Sequence, residues 1–571
     1  MKKQGFNPFL PSWEYIPDGE PHVFGDRVYL FGSHDRFGGH TYCPNDYVCW
    51  SAPVNDLTDW RYEGVIYART DDPANKDGDM LLFAPDVVQG PDGRYYLYYV
   101  LDQMQVISVA VCDTPAGRYQ FYGYVRHPDG TRLGEREGDA PQFDPGVLFE
   151  DGCVYLYTGF CPPEDTSRLG SMVTVLGPDM LTVRSSPVIV APSAPYAAGT
   201  SFAQFPFFEA SSIRKIGKRY YFIYSTIYNH ELACAVADSP MGPFTYSGVI
   251  VSNADVHIGT YKPAQQPMFY GGNNHGSLEQ INGRWYIFYH RHTNGTNFSR
   301  QACLEPVAIL PDGAIPQVEL TSCGGNGGPL EGRGEYPAHI ACNLFCKHPA
   351  VTTGSPGDWM DCRFPRITQD APDGKEGFAH IANLRDGATA GFKYFDCRGV
   401  RRVAVKVRGG TGVYQLRTRW DGEVLGEIPV GHANEWKTFA ADISIPDGVQ
   451  ALYFTYRGRG ISALAAFTLN PSDISVCGAD CAACGCYGHM CGGCSACAGA
   501  VFHQPAGTVC PIYECAGVQK KLPHCGVCAK VPCALWEKTR DPKFSDEEFE
   551  ANINMRMQTL RREEAEHGTT L

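Results

Sequence analysis

The chain has 571 residues, 43% of them hydrophobic and 19% charged, which is enough apolar material for several packed domains. Its 62 acidic against 48 basic side chains leave a net charge of −14, which argues against an electrostatic grip on nucleic acid or an anionic membrane. The 32 tyrosines suit both tyrosine-rich β-proteins and carbohydrate binders, so composition alone does not choose between them.

At the start of the chain, Pro8, Pro11, Trp13 and Glu14 interrupt any apolar run. No signal-peptide core and no bilayer-spanning stretch is read there, and a cytoplasmic location is expected.

One motif then recurs five times. It reads Asp26-Arg-Val-Tyr-Leu-Phe, Gly93-Arg-Tyr-Tyr-Leu-Tyr, Gly152-Cys-Val-Tyr-Leu-Tyr, Lys218-Arg-Tyr-Tyr-Phe-Ile and Gly283-Arg-Trp-Tyr-Ile-Phe. The aligned residues Tyr29, Tyr96, Tyr155, Tyr221 and Tyr286 are spaced by 67, 59, 66 and 65 positions. Turns such as Pro91-Asp-Gly and Glu150-Asp-Gly precede the motif, and its alternation of aromatic and aliphatic residues reads as a buried strand after a hairpin turn. A second motif, at Ala110-Val-Cys-Asp-Thr-Pro and Ala235-Val-Ala-Asp-Ser-Pro, keeps the same phase. Five all-β units of this length predict a five-bladed β-propeller.

The innermost strand of a propeller blade lines the axial channel. Four blades carry an acid in an apolar setting just before the tyrosine strand: Asp18, Asp86, Asp144 and Glu209, at 11, 10, 11 and 12 residues from their tyrosines. Blade five has Asn274-His275-Gly276 there. Any one of these acids alone reads as a turn or cap, whereas four in phase point to a site. Such a set suits glycoside hydrolysis, which needs one protonated and one ionised carboxyl, about 6.5–9.5 Å apart when the anomeric centre is inverted. The phenylalanines around Glu209 favour a raised pKa. His34, Asp35, His290 and His292 fall at strand ends and read either as pocket lining or as surface loop.

Over residues 6–320 the sequence resembles glycoside hydrolase family 43. The resemblance rests on Asn7-Pro-Phe-Leu leading to Pro17-Asp18, on Ala84-Pro-Asp-Val, Phe143-Asp-Pro-Gly-Val and Glu209-Ala-Ser, and on Ser299-Arg-Gln-Ala. Blade one departs from the usual pattern, with Gly19-Glu20-Pro21 after Asp18. The resemblance implies an inverting exo-acting hydrolase of xylose- or arabinose-containing oligosaccharides that requires no cofactor. Asp18 is then the general base, Glu209 the general acid and Asp144 the residue that positions Glu209 and raises its pKa. Arg300 binds sugar in the deepest subsite, Asp86 supports as a further channel acid, and His275 lies on the axis beside a possible hydrated calcium. An endo-arabinanase and a non-catalytic sugar-binding propeller are the alternatives.

Residues 321–345 are rich in Gly and Pro and read as a linker. From 346 to 470, short alternating strands such as Val403-Ala-Val-Lys-Val-Arg and Ala451-Leu-Tyr-Phe-Thr-Tyr, separated by turns, read as a β-sandwich. This part resembles family 6 carbohydrate-binding modules. Trp359, Tyr394 and Trp436 are candidates to stack on sugar, with core or interface filling the preferred reading.

Twelve of the 24 cysteines crowd into residues 477–533. The close pairs among Cys477, Cys481, Cys484, Cys491, Cys494, Cys510, Cys515, Cys525, Cys528 and Cys533 have spacings that suit thiolate ligation of zinc or, second, an iron–sulfur cluster. The segment resembles a small cysteine-rich domain of unknown function (3795). Ser545-Asp-Glu-Glu then predicts one terminal helix. The chain is thus read as mainly β: a propeller over 1–320, a linker, a β-sandwich over 346–470 and a cysteine-rich, metal-binding domain over 471–571.

Overall fold

In the computed structural model each tyrosine motif forms the second strand of an antiparallel sheet. Blade one runs Glu20–Phe24, Arg27–Phe31, Tyr47–Pro53 and Arg61–Tyr67, with Tyr29 paired to His22 on one side and Ser51 on the other. Blades two, three and four repeat this order, beginning at Leu82–Gln89, Gly146–Glu150 and Phe207–Ile216. Blade five has three strands, Leu278–Ile281, Arg284–His292 and Arg300–Val307. The structure describes residues 4–228, 231–347, 363–471 and 474–567, apart from 482, 483, 485, 488, 489, 492, 495, 496, 506 and 523.

The first strands of successive blades pack against one another and close the ring. Gly19 bridges to Gly276, and Ser212 Oγ donates to Ser277 Oγ at 2.7 Å. A Cβ on Gly146 of blade three would run into the Ser211 carbonyl of blade four, and one on Gly276 would run into the Phe288 carbonyl of the second strand of its own blade. This packing explains the glycines that follow His275 and Asp144-Pro145 in sequence.

Among the described residues blade five has no fourth strand, and the N-terminal segment binds along its last one. The buried Asn7 donates through Nδ2 to the Leu304 carbonyl (2.7 Å) and to Glu305 Oε1 (2.9 Å), and its Oδ1 accepts from the Leu304 amide (2.9 Å). Asn7→Ala strands these buried groups, so a loss of about 1–3 kcal/mol in denaturant unfolding is expected, with KM unchanged.

Beyond the propeller the chain forms a ten-stranded sheet domain built on the long strands Val400–Arg417 and Gly448–Pro471, which pair along most of their length. Leu330–Glu331, Gly334–Pro337 and Asn343–Phe345 are strands of this sheet, although they lie in the stretch read as a linker. One apolar core runs from blades four and five into this domain, joining Ile223 and Ile287 to Leu330, Phe392 and Phe467. The fully buried Lys393 crosses the junction and bonds Asp255 (3.3 Å) and Glu319 (3.0 Å).

The cysteine-rich segment forms its own small core around Trp536. The terminal helix Asp546–His567 starts as the capping pattern predicts: the Glu548 amide donates to Ser545 Oγ, and the Ser545 amide to Glu548 Oε2. Arg556 fastens the helix, donating to the Cys477 carbonyl at 3.0 Å with its guanidinium 4.0 Å from the Trp536 ring centre. Among the described residues no helix is long and apolar enough to cross a membrane.

Candidate active site

Three of the four in-phase acids reach one cavity. It measures about 400 Å³, and its lining includes Asp18, Asp144, Glu209, His275, His290 and Arg300. Local backbone geometry decides which acids point in. Asp18 and Asp144 stand just before their strands in left-handed conformation, at φ 57° and 44°. Ala210, directly after Glu209, has φ 68° and donates its amide to Asp144 Oδ2 at 3.1 Å. Asp tolerates this region and Ala less so, and such strained positions gather at functional sites.

Asp86 does not line the cavity, contrary to its reading as a channel acid. It lies inside the strand Leu82–Gln89, just past an irregularity in the pairing register, is paired with Tyr98 and is fully buried. Its carboxylate accepts from the amides of Val87 (2.7 Å) and Val147 (2.8 Å) and contacts His22 Nε2 at 2.7 Å, so it ties blade one to blades two and three. Glu20, the second carboxylate of the blade-one motif, is also turned away and bonds Arg214 at 2.9 Å. Glu20, His22 and Asp86 are the one group of three metal-type ligands that converges among the described residues. Arg214 supplies a positive charge to it through Glu20 Oε2.

Arg300 organises the polar end of the cavity. Its Nε and Nη2 grip Asp35 at 2.8 and 2.9 Å, Nη2 also meets Cys43 Sγ at 3.3 Å, and Nη1 donates to Asp18 Oδ1 at 3.1 Å. Of the five guanidinium N–H groups, one on Nη1 is left to face the cavity. The Asp18 amide donates to His290 Nδ1 (3.1 Å), which assigns the ring proton to Nε2, where the Asn273 carbonyl accepts it at 2.8 Å. Tyr42 stacks beneath Arg300, with 4.9 Å from guanidinium to ring centre.

The other wall is an aromatic arc. Phe83 meets Phe143 at 5.7 Å, Phe143 meets Phe160 at 5.3 Å, and Phe160 meets Phe208 at 5.4 Å between ring centres. Against this wall the Glu209 carboxyl is pushed up to about 8, first by burial and then by the negative charge of Asp18, with Arg300 opposing. Burial, and then Glu209 and Asp18, drive Asp144 well above the usual carboxylate range. Glu209 is therefore protonated at neutral pH and ionises as the pH rises. If it delivers a proton in the rate-limiting step, kcat/KM falls as pH rises through about 8, which a pH–rate profile of wild type checks.

His275 lies among the acids, with Nδ1 3.8 Å from Asp144 Oδ2 and Nε2 3.9 Å from Glu20 Oε1. Both His275 Nε2 and Glu20 Oε1 are buried without a hydrogen-bond partner, a pairing that leaves donor atoms for a hydrated cation. Of the strand-end candidates, Asp35 and His290 belong to the site. His34 bonds Glu14 and the Asp46 carbonyl instead, and His292 is buried beneath Gly272. The sequence reading did not single out Tyr42, Cys43, Asn273 or Asn297. The wall residues Phe143 and Phe208 were legible as immediate neighbours of Asp144 and Glu209.

The ten candidate cysteines do not converge on one point. Cys515, Cys525, Cys528 and Cys533 line a cavity of about 130 Å³; Cys477, Cys481, Cys491, Cys494 and Cys510 belong to the same tail core without lining it, Cys477 close enough to act on Cys525, and Cys484 is exposed. Among the described residues no three thiol sulfurs lie within 4.8 Å of one another.

Carboxyl groups in contrasting environments, set around the axis of a five-bladed propeller beside a sugar-sized cavity, define a propeller glycoside hydrolase. The chain belongs to the glycosyl hydrolases family 43, whose model matches residues 7–315. It is 66% identical over 470 residues to a xylosidase/arabinosidase of Thermoclostridium stercorarium, covering 82% of this chain and 99% of that one. A xylosidase/arabinosidase of Bacteroides ovatus is 29% identical over 317 residues, covering 49% of this chain and 87% of that one. Among solved structures, a family 43 arabinoxylan arabinofuranohydrolase from Bacillus subtilis in complex with cellotetraose matches 81% of this chain and 97% of its own, at 21% identity and a TM-score of 0.44.

Proposed function

We propose that this enzyme releases single xylose or arabinofuranose units from short plant-type oligosaccharides with inversion of configuration. The observation that carries the reading is the split between two acids of one cavity: Asp18 is ion-paired to Arg300, and Glu209 is held protonated against an aromatic wall. Asp18 takes a proton from the attacking water, and Glu209 gives its proton to the leaving oxygen. Asp144, bonded to the Ala210 amide, fixes the turn that aims Glu209. Arg300 offers its remaining N–H to a sugar hydroxyl, and His275 supports the axis, where a hydrated calcium fits the two unpartnered donor atoms.

The sheet domain acts as a support of carbohydrate-binding-module type. In favour of that role, the Tyr394 hydroxyl donates to Glu319 at 2.6 Å at the junction with the propeller, and the Arg408 guanidinium lies over the Trp436 ring at 4.3 Å. Trp359 lies outside the described residues. The tail binds a metal through part of its cysteine set.

Hydrolysis of p-nitrophenyl β-D-xyloside and α-L-arabinofuranoside tests the substrate class, and product analysis on xylo-oligosaccharides tests exo action. Release of single pentoses is expected. Oligosaccharides appearing first from arabinan would identify an endo-arabinanase, and absence of any hydrolysis would identify a binding propeller.

A further inference from the structure

The cavity in the cysteine-rich tail has a lining that differs from the rest of its core. Three short turns present the thiols. Cys525 and Cys528 stand at the two ends of one 3-10 turn, closed by the Cys528 amide donating to the Cys525 carbonyl at 2.9 Å. Cys533 opens the helical turn Ala534–Lys538, and Cys515 sits in the helical segment Glu514–Gln519. Between the thiols the wall is apolar, with Ile512, Leu522, Val531 and Leu535.

We propose that Cys515, Cys525, Cys528 and Cys533 hold an iron–sulfur cluster in the cavity they line. This rests on the reading of the tail as metal-binding and specifies its ligands and the group they hold. Size is the first argument. Four thiolates on one tetrahedral zinc at about 2.3 Å must touch one another, with sulfurs roughly 3.8 Å apart. Here no three sulfurs among the described residues come within 4.8 Å, and about 130 Å³ separates the walls. That volume approaches the ~150 Å³ of an engineered cavity that holds benzene, so the space suits a polyatomic group. Thiolates around a cluster bind different iron atoms and stand farther apart than those on a single ion.

Charge and hydrogen bonding agree. A cluster with four thiolates carries net negative charge inside the protein. Lys520 places its ammonium 3.7 Å from Cys528 Sγ, and Lys530 also lines the cavity. Trp536 is fully buried in the same wall, with its indole N–H directed at the Cys525 sulfur. Cluster sulfides and ligand sulfurs accept such N–H groups, and these contacts tune the reduction potential.

The test is iron, zinc and acid-labile sulfide analysis of the full-length protein, purified anaerobically and reconstituted with ferrous iron and sulfide. Iron and sulfide in equal amounts, with visible sulfur-to-iron charge-transfer absorption, are expected. Cys525→Ser combined with Cys528→Ser is expected to lose both, whereas Cys510→Ser, outside the cavity lining, retains them. Hydrolysis of p-nitrophenyl β-D-xyloside is expected to persist in all three preparations and reports that the propeller is intact. Stoichiometric zinc without sulfide would overturn the cluster while leaving a metal-binding tail. No bound metal after reconstitution would overturn both. Retention of iron and sulfide in the Cys525/Cys528 double variant would show that the ligands lie elsewhere and overturn the assignment.

Discussion

Glu209→Ala lowers kcat on xylobiose by about 10²–10⁴-fold, the usual worth of a positioned proton donor, and by much less on p-nitrophenyl β-D-xyloside. The difference follows from the leaving groups. A sugar alkoxide cannot depart unprotonated, whereas p-nitrophenolate needs little help. Asp18→Ala removes activation of water, which both substrates require, so its loss is of similar size on each. Steady-state kinetics of the two variants on the two substrates separate the roles. Equal losses for Glu209→Ala on both substrates would take the acid role from Glu209. A preserved rate in Asp18→Ala would take the base role from Asp18. The Glu209 environment gives the physical reason for expecting an acid there: burial first, and the Asp18 charge second, keep its proton on at neutral pH.

Asp35→Ala destabilises the fold by about 3–5 kcal/mol, because it leaves the Arg300 guanidinium buried without its main partner. Side-chain exposure is 4% for Arg300 and 0% for Asp35, so solvent cannot replace the lost carboxylate. Asp35 accepts from the Arg300 backbone amide at 3.0 Å as well as from Nε and Nη2, and it also accepts from the Cys43 amide at 3.1 Å. One side chain therefore sets the loop that carries Cys43 and, among the described residues, the only arginine or lysine lining the cavity. Denaturant unfolding measures the loss, and KM rises in whatever fraction still folds, since Arg300 is no longer aimed at sugar. Asp35→Asn keeps the shape and part of the hydrogen bonding, and falls between wild type and Asp35→Ala on both readouts. An Asp35→Ala protein with wild-type stability and KM would show that Arg300 is held by Asp18 and its surroundings alone.

The propeller was legible because a blade repeats. Tyr29, Tyr96, Tyr155, Tyr221 and Tyr286 mark the same strand five times, and spacing survives where residue identity drifts. The acids were legible by the same phase, and here the reading reached its limit. Asp86 keeps the spacing yet sits inside its strand with its carboxylate bonded to the next blade, whereas Asp18 and Asp144 precede theirs at positive φ. Sequence distance does not report that difference, and it reverses where the side chain points. Tyr42, Cys43 and Asn297 come from loops between strands, whose path depends on packing against other blades, so no local pattern announced them. In the tail, the cysteine spacing does not tell which thiols share a cavity. Cys515 and Cys533 lie ten and five residues outside the Cys525–Cys528 pair, and only the fold brings the four to one cavity.

The central claim is that water attacks the anomeric carbon directly, activated by Asp18 while Glu209 protonates the leaving oxygen. Proton NMR of the first sugar released from p-nitrophenyl β-D-xyloside, read before mutarotation, tests it most directly. The account predicts that α-xylose appears first and relaxes toward the equilibrium mixture. β-Xylose appearing first would require a covalent glycosyl-enzyme and would contradict the roles given to both carboxyl groups.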